Sequence, residues 1–315
     1  MLFCTGMAAR SQTPLPFLLD NGRFQYQHAA GTPAFNTSFE TATPFQNGLA
    51  VVSDKHSYQL INTSGQVLSE AQWTEISPAP DGYFLAFSSN KKYALLQNGK
   101  NLFESEARLI GTPSPQGWIP FQQPATGKAG ILQIQTGKEL ASAHFDHIRP
   151  FSGKITAAFG ENTWKFIDSA GRPVSAHRYE GAAAFSDGLA AVRRQGKWGF
   201  VNEKEDWVIA AQYDRVTDFR NGTAFAQTGE SWNQIDPTGN VLRELPYQMV
   251  ITPAEGLYAF MQANLWGFAS AETGKVVIVP QYLRAAAFEN GLAFVVKDGQ
   301  QFYIQRDGTE LRVVK

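Results

Sequence analysis

The groups in this chain best suited to chemistry are few and scattered. His144, Asp146 and His147 fall together in His-Phe-Asp-His, and imidazoles beside a carboxylate are what transition metals bind. A metal site needs three or more ligands steadied by further hydrogen bonds. Phe145, however, occupies a position that recurs along the chain, so its neighbours read as ordinary turn residues and no metal is expected. Glu203, Glu205 and Asp206 form a dense acidic group. Paired carboxylates at a defined separation are what glycoside hydrolysis uses. These three fall in a predicted hairpin turn, where solvated charge is the expectation. Cys4 is the single cysteine, which excludes an internal disulfide, a thiolate metal cage and a cysteine nucleophile further along the chain. There is no phosphate-binding glycine loop, nucleophile elbow or His-Glu-x-x-His helix. No catalytic residue, metal or cofactor is assigned, and the chain is expected not to be an enzyme.

The tryptophans are the other candidates, because exposed indoles serve as platforms for sugars. Trp164, Trp198, Trp232 and Trp266 each lie 34 residues after the last. A large ring at one phase of a repeat is what a stacked core requires, so these four are assigned to the core together with Tyr179, Tyr213, Tyr247 and Tyr282. Trp118 and Trp207 fall off that series, and the repeat does not ask for them. They are the ligand-binding candidates.

The elements that position these residues follow from the same period. A glycine closes each unit at Gly48, Gly82, Gly117, Gly153, Gly188, Gly222, Gly256 and Gly291. An aromatic stands nine residues before most of them, at Phe39, Trp73, Tyr179, Tyr213, Tyr247 and Tyr282. Recurrence of this kind marks a repeat architecture, in which one unit cannot bury its apolar face alone. Within the clearest unit, Leu189 to Gly222, short apolar runs broken by turn residues predict strands and not helices. The predicted strands cover 189–193, 198–202, 207–209 and 215–219. Asn-Gly and Asp-Gly pairs at 47–48, 81–82, 187–188, 221–222 and 290–291 supply the positive φ that tight hairpins demand. Gln195-Gly196 and Asp298-Gly299 do the same between strands one and two. The segment Ala210-Ala211-Gln212 lacks hairpin chemistry and is the expected hand-over from one sheet to the next.

Trp198-Gly199 within Lys197–Val201, the following Val208-Ile209, Tyr213-Asp214 and the closing Phe219-Arg220-Asn221-Gly222 resemble the WG (or KWG) repeat of bacterial proteins. Val277 to Tyr282 and Phe288 to Ala293 match the same template. Literal Trp-Gly occurs only at Trp198 and Trp266, and Glu205 stands where the template expects glycine. The resemblance implies an extracellular or envelope-associated interaction module without an assigned chemistry.

The expected fold is therefore all-β. Tandem antiparallel repeats of about 35 residues stack as an open superhelical, solenoid-like array, with a closed β-propeller as the alternative. The array is placed over residues 15–315, as eight full units and a partial ninth, after a leader over residues 1–14. That leader resembles the tail of a secretory signal but lacks its charged start and full apolar core; it is the resemblance to WG-repeat proteins that makes export to the periplasm or cell surface the expectation over a cytoplasmic place. Charge is balanced, at 27 basic against 28 acidic residues, which argues against attraction to a nucleic-acid backbone. No apolar run approaches the ~20 residues of a membrane helix. The function expected is a scaffold that binds a protein or a cell-envelope polymer such as a glycan. A propeller-type enzyme acting on glycans is the alternative.

Overall fold

A computed structural model describes residues 13–28, 32–69, 73–289 and 291–311. Cys4, most of the leader and Asn290 of one predicted turn lie outside these residues. The protein is 58 % strand and 1 % helix, and the strands form small antiparallel sheets, none closed into a barrel. The chain divides after Glu104 into two compact units.

The second unit is a succession of meanders. Gly181–Ala182, Ala190–Arg194, Lys197–Val201 and Trp207–Tyr213 pair in chain order into one sheet. The chain then moves to the next sheet, built from Arg215–Val216, Ala224–Thr228, Ser231–Ile235 and Val241–Leu245. Arg215–Val216, like His147–Ile148 and Arg284–Ala285, opens its sheet with one residue between it and the aromatic that ends the sheet before it. The expected hand-over at Ala210–Gln212 is corrected: the chain stays in its sheet through Tyr213 and leaves at Asp214.

The reason lies opposite, in the Trp-Gly pair. Trp198 faces Tyr213 and Phe200 faces Ile209, so a step of two residues on the second strand meets a step of four on the third. The surplus forms a bulge that presses on Gly199. A Cβ there would lie 2.5 Å from the Ile209 carbonyl oxygen and 2.6 Å from the Ala210 carbonyl carbon. Gly267 is crowded in the same way, 2.6 Å from the Ile278 oxygen. The glycine of the motif is there for close approach and not for its backbone angle.

Asp214 then secures the crossing. Its Oδ1 accepts from Lys197 Nζ at 2.5 Å and its Oδ2 from the Gly229 N–H of the next sheet's hairpin at 2.8 Å. These bonds, the lysine's foremost, lower its pKa. Lys128 and Asp146 repeat the first bond, which commits the carboxylate of the His-Phe-Asp-His run. No cluster of three metal-binding side chains exists among the described residues.

The tight turns follow their sequence. Asn47, Asp81, Asp187, Asn221, Gln195 and Asp298 all take positive φ together with the glycine after them. Corners one repeat apart are tied together: Asp187 Oδ2 accepts from Gly222 N–H at 2.9 Å, and at the similar Glu255-Gly256 corner Glu255 Oε2 accepts from Gly291 N–H at 2.8 Å. Between strands two and three a side-chain oxygen of Asn62, Asp168, Asn202 or Asp236 accepts N–H groups two and four residues on. This is an Asx turn. Side-chain donors on Thr238 and Asn240 add to it at Asp236 and bring that carboxyl down from 3.8 to about 2.

Apolar side chains gather between successive sheets. Ala191, Phe200, Ile209 and Tyr213 from one sheet pack with Phe219, Ala226 and Ile235 from the next. The first unit departs from this plan. After a three-stranded sheet of Leu15–Leu18, Phe24–Gln27 and Pro33–Phe39, a seven-stranded sheet runs from Thr41–Ala42 to Lys100–Ser105. Within it Trp73–Pro78 pairs with the strand on each side, so the chain makes no crossing after its aromatic.

Two outcomes are expected. Gly199→Ala drives a methyl group into the backbone of the third strand and should destabilise by roughly 1–3 kcal/mol, read as a fall in the urea midpoint. The Asp236 carboxyl has a lowered folded-state pKa, so its stabilisation is complete above about pH 4 and lost as pH falls towards 2. Asp236→Asn keeps the turn's acceptor without the titration, and its stability should decline less than wild type between pH 4 and 2.

Candidate functional site

One departure from the repeat lies where the Thr163–Asp168 strand would meet a third strand. Only single bridges form there, Ile167 with Pro173 and Trp164 with Tyr179. The irregular segment between them carries His177, and its end carries Tyr179.

Glu205 fills in from the following sheet. Its backbone is left-handed, at φ 62°, a conformation costly for a residue with a Cβ. Its side chain is only 1 % exposed. The hairpin-turn reading of this carboxylate as solvated is corrected: its turn folds under the preceding sheet and takes the side chain inward. Oε2 accepts the Tyr179 hydroxyl at 2.9 Å and lies 3.6 Å from His177 Nδ1. Oε1 has no hydrogen-bond partner among the described residues. Burial, then the bond and charge of Glu205, push the Tyr179 phenol well above its usual range, with Arg194 pulling the other way. That hydroxyl stays protonated and serves as a donor.

Trp207 stands two residues on, edge-on to the Tyr179 ring with 6.4 Å between centroids. It is 36 % exposed. The other residues singled out in the sequence are spread along the chain. Trp118 is half-buried and meets Phe151 at 5.7 Å. Trp232, Trp266, Tyr213 and Tyr282 are buried, whereas Tyr247 is half-buried and stacks on Phe260 at 4.0 Å. Trp164 is half-buried beneath the Arg149 guanidinium, and Trp198 is half-buried with its ring over Gly181.

A family model for a WG containing repeat matches residues 60–93, 166–198, 198–232 and 266–300. The chain therefore contains WG repeats over these residues. No curated protein matches its sequence. Among solved structures it is similar to KlHsv2 with loop 6CD replaced by a Gly-Ser linker, at 10 % identity and TM-score 0.51, covering 73 % of this chain and 91 % of that one. Apo AztD from Citrobacter koseri is similar at 13 % identity and TM-score 0.51, over 84 % of this chain and 92 % of that one. A eukaryotic initiation factor is similar at 13 % identity and TM-score 0.50, over 85 % and 95 %. The neighbours are propeller-like, the second of the two arrangements the sequence leaves open. At these identities the likeness concerns the fold alone.

Against the WG repeats on either side, the unit around Glu205 differs at adjoining places. The position of Glu205 is Gly65, Gly171 and Gly239 in other repeats, each with positive φ. There the glycine packs on an apolar side chain of an earlier strand: Phe35, Ala141 and Ile209 respectively. The position of Trp207 is Val67 and Val241 elsewhere. The substitution of Glu for Gly was visible in the sequence, and its pairing with Tyr179, 26 residues away, was not. His177 was missed altogether, since nothing in the repeat marks it.

Truncating a buried ring leaves a cavity, so Trp232→Ala should cost roughly 3–5 kcal/mol. Trp207→Ala should cost about 1 kcal/mol or less, because much of its ring already meets solvent. Denaturant midpoints measured side by side would reverse that order if Trp207 were the structural ring.

Proposed function

We propose that the chain is a non-enzymatic repeat scaffold that binds a protein or a cell-envelope polymer along the starts of its third strands and of the irregular segment that stands in for one at Val174. One observation carries the reading. Val174, Val208, Leu242 and Val277 are exposed apolar residues at successive spacings of 34, 34 and 35. Trp207, Val241 and Val276 beside them are exposed as well. Scattered apolar residues on a surface need no explanation, but a series in phase with the architecture offers the same contact again and again. A partner that meets several of these contacts gains from each without reorganising the fold.

Other features support a binding role over chemistry. The turn carboxylates Asp168, Asn202's neighbour Asp206, and Asp236 lie in hairpin corners, where Asp168 and Asp236 are taken up by backbone N–H groups. Among the described residues no helix is long and apolar enough to cross a membrane. Balanced charge favours a partner held by shape and apolar contact.

The test is co-sedimentation of the purified chain with the insoluble envelope fraction of its own cells, against a variant carrying Trp207→Ser, Leu242→Ser and Val277→Ser. Surface changes of this kind cost about 0.5 kcal/mol each, so the variant should remain folded by circular dichroism. At least tenfold weaker retention is expected. Equal retention of the two proteins would remove the third-strand series from the binding surface.

A further inference from the structure

We propose that Glu205, Tyr179, His177 and Trp207 form a recognition site for the ammonium group of a lysine side chain presented by a partner protein. The inference rests on reading the chain as a binding scaffold only for the partner that would carry the lysine.

Glu205 brings together three unfavourable choices in one residue: a left-handed backbone without glycine, a carboxylate taken out of water, and an oxygen left without a donor. Buried charges are ordinarily paired, and buried acceptors are ordinarily bonded. Gly65, Gly171 and Gly239 at the same position of other repeats show that the fold itself asks for none of this. Repeat proteins break their own pattern at places where something beyond folding is required.

The geometry restricts what can complete the site. Oε2 already accepts from Tyr179, so Oε1 is the one carboxylate oxygen left without a donor among the described residues. The planar fork of a guanidinium is built for two parallel bonds, whereas a lysine ammonium acts as a compact point charge on a slender stem. The carboxylate lies inward, and the side chains nearest the surface are His177, 56 % exposed, and Trp207. Oε1 is shut off from solvent, so a ligand reaches it only when His177 and Trp207 turn aside, and a thin aliphatic chain asks less of that movement than a sugar ring bearing an amine. Its methylenes can then lie along the Trp207 indole, and the rings of Trp207 and Tyr179 favour a cation near their faces. Arg172 is paired with Asp168 at 2.8 Å, and Arg194, whose charge acts on Tyr179, makes no ion pair with Glu205. The Arg178 guanidinium donates to the His177 carbonyl.

The experiment uses the full chain and Nα-acetyl-lysine methylamide as probe, followed by the NMR signal of the Trp207 indole N–H, assigned by its loss in Trp207→Phe. Saturable shifts with a dissociation constant of about 1 mM are expected. The norleucine analogue, which lacks the ammonium, should give none, and glucosamine and the arginine analogue should bind at least tenfold more weakly. Glu205→Gly restores the residue that other repeats carry, so it should fold, and it should weaken the lysine probe at least tenfold. Absence of a saturable shift in the wild-type chain, equal binding by Glu205→Gly, or preference for glucosamine would each overturn the proposal. Because the probe needs no partner, these outcomes leave the envelope co-sedimentation result standing on its own.

Discussion

No sheet in the second unit owns a core. The buried residues cluster between one sheet and the next, as with Phe200, Tyr213, Phe219 and Ile235, or Phe268, Tyr282, Phe288 and Phe302. A four-stranded meander has too little apolar surface to offset the entropy of ordering its chain, so each becomes stable only when a neighbour covers it. Other features of the repeat serve that contact. The third strand must run on to its aromatic, the bulge must fit over Gly199 or Gly267, and the chain must cross at once. Asp214 holds the crossing with one oxygen on each side of it. The Trp-Gly and Tyr-Asp of the WG repeat are thus two parts of one joint.

Much of this was legible in the sequence because it is local or periodic. Asn-Gly and Asp-Gly fix tight turns through their own backbone preferences, and they appear where expected. Apolar runs between turn residues placed the strands, and the period placed the aromatics. The third strand nonetheless runs on to Tyr213 instead of ending at 209, and the fourth stops at Val216 instead of 219. The bulge was not legible. Ala210-Ala211-Gln212 has no strand signal, and what keeps it in the sheet is the missing side chain of Gly199 on the facing strand, a contact between two segments that neither reveals alone. The seven-stranded sheet of the first unit was hidden for a similar reason, since Trp73 marks the usual crossing and the chain makes none there.

The site shows the same division. Trp207 stood out because the repeat has no use for it, and Glu205 because the template calls for glycine. Their meaning depended on a third departure one repeat earlier, where only single bridges form before Tyr179 and Glu205 reaches its hydroxyl. A turn acid that would ordinarily face water then becomes a buried carboxylate. Sequence exposes such departures one by one. Only the fold reveals that they converge.

The two-residue segment that opens a sheet sets where one unit can be cut free. Arg215–Val216 follows closely on Tyr213 yet pairs with Ala224–Thr228, so the portion of chain that behaves as a module begins at the crossing and not at the corner glycine. A whole repeat copied in tandem keeps every such pair wherever in the period the gene is cut, because each opening segment is again followed by a first strand. A single unit cut out alone is different: cut at Gly222, it loses the opening segment that its first strand pairs with and parts Asp214 from Gly229. The boundary most visible in the letters is not the boundary along which the structure divides.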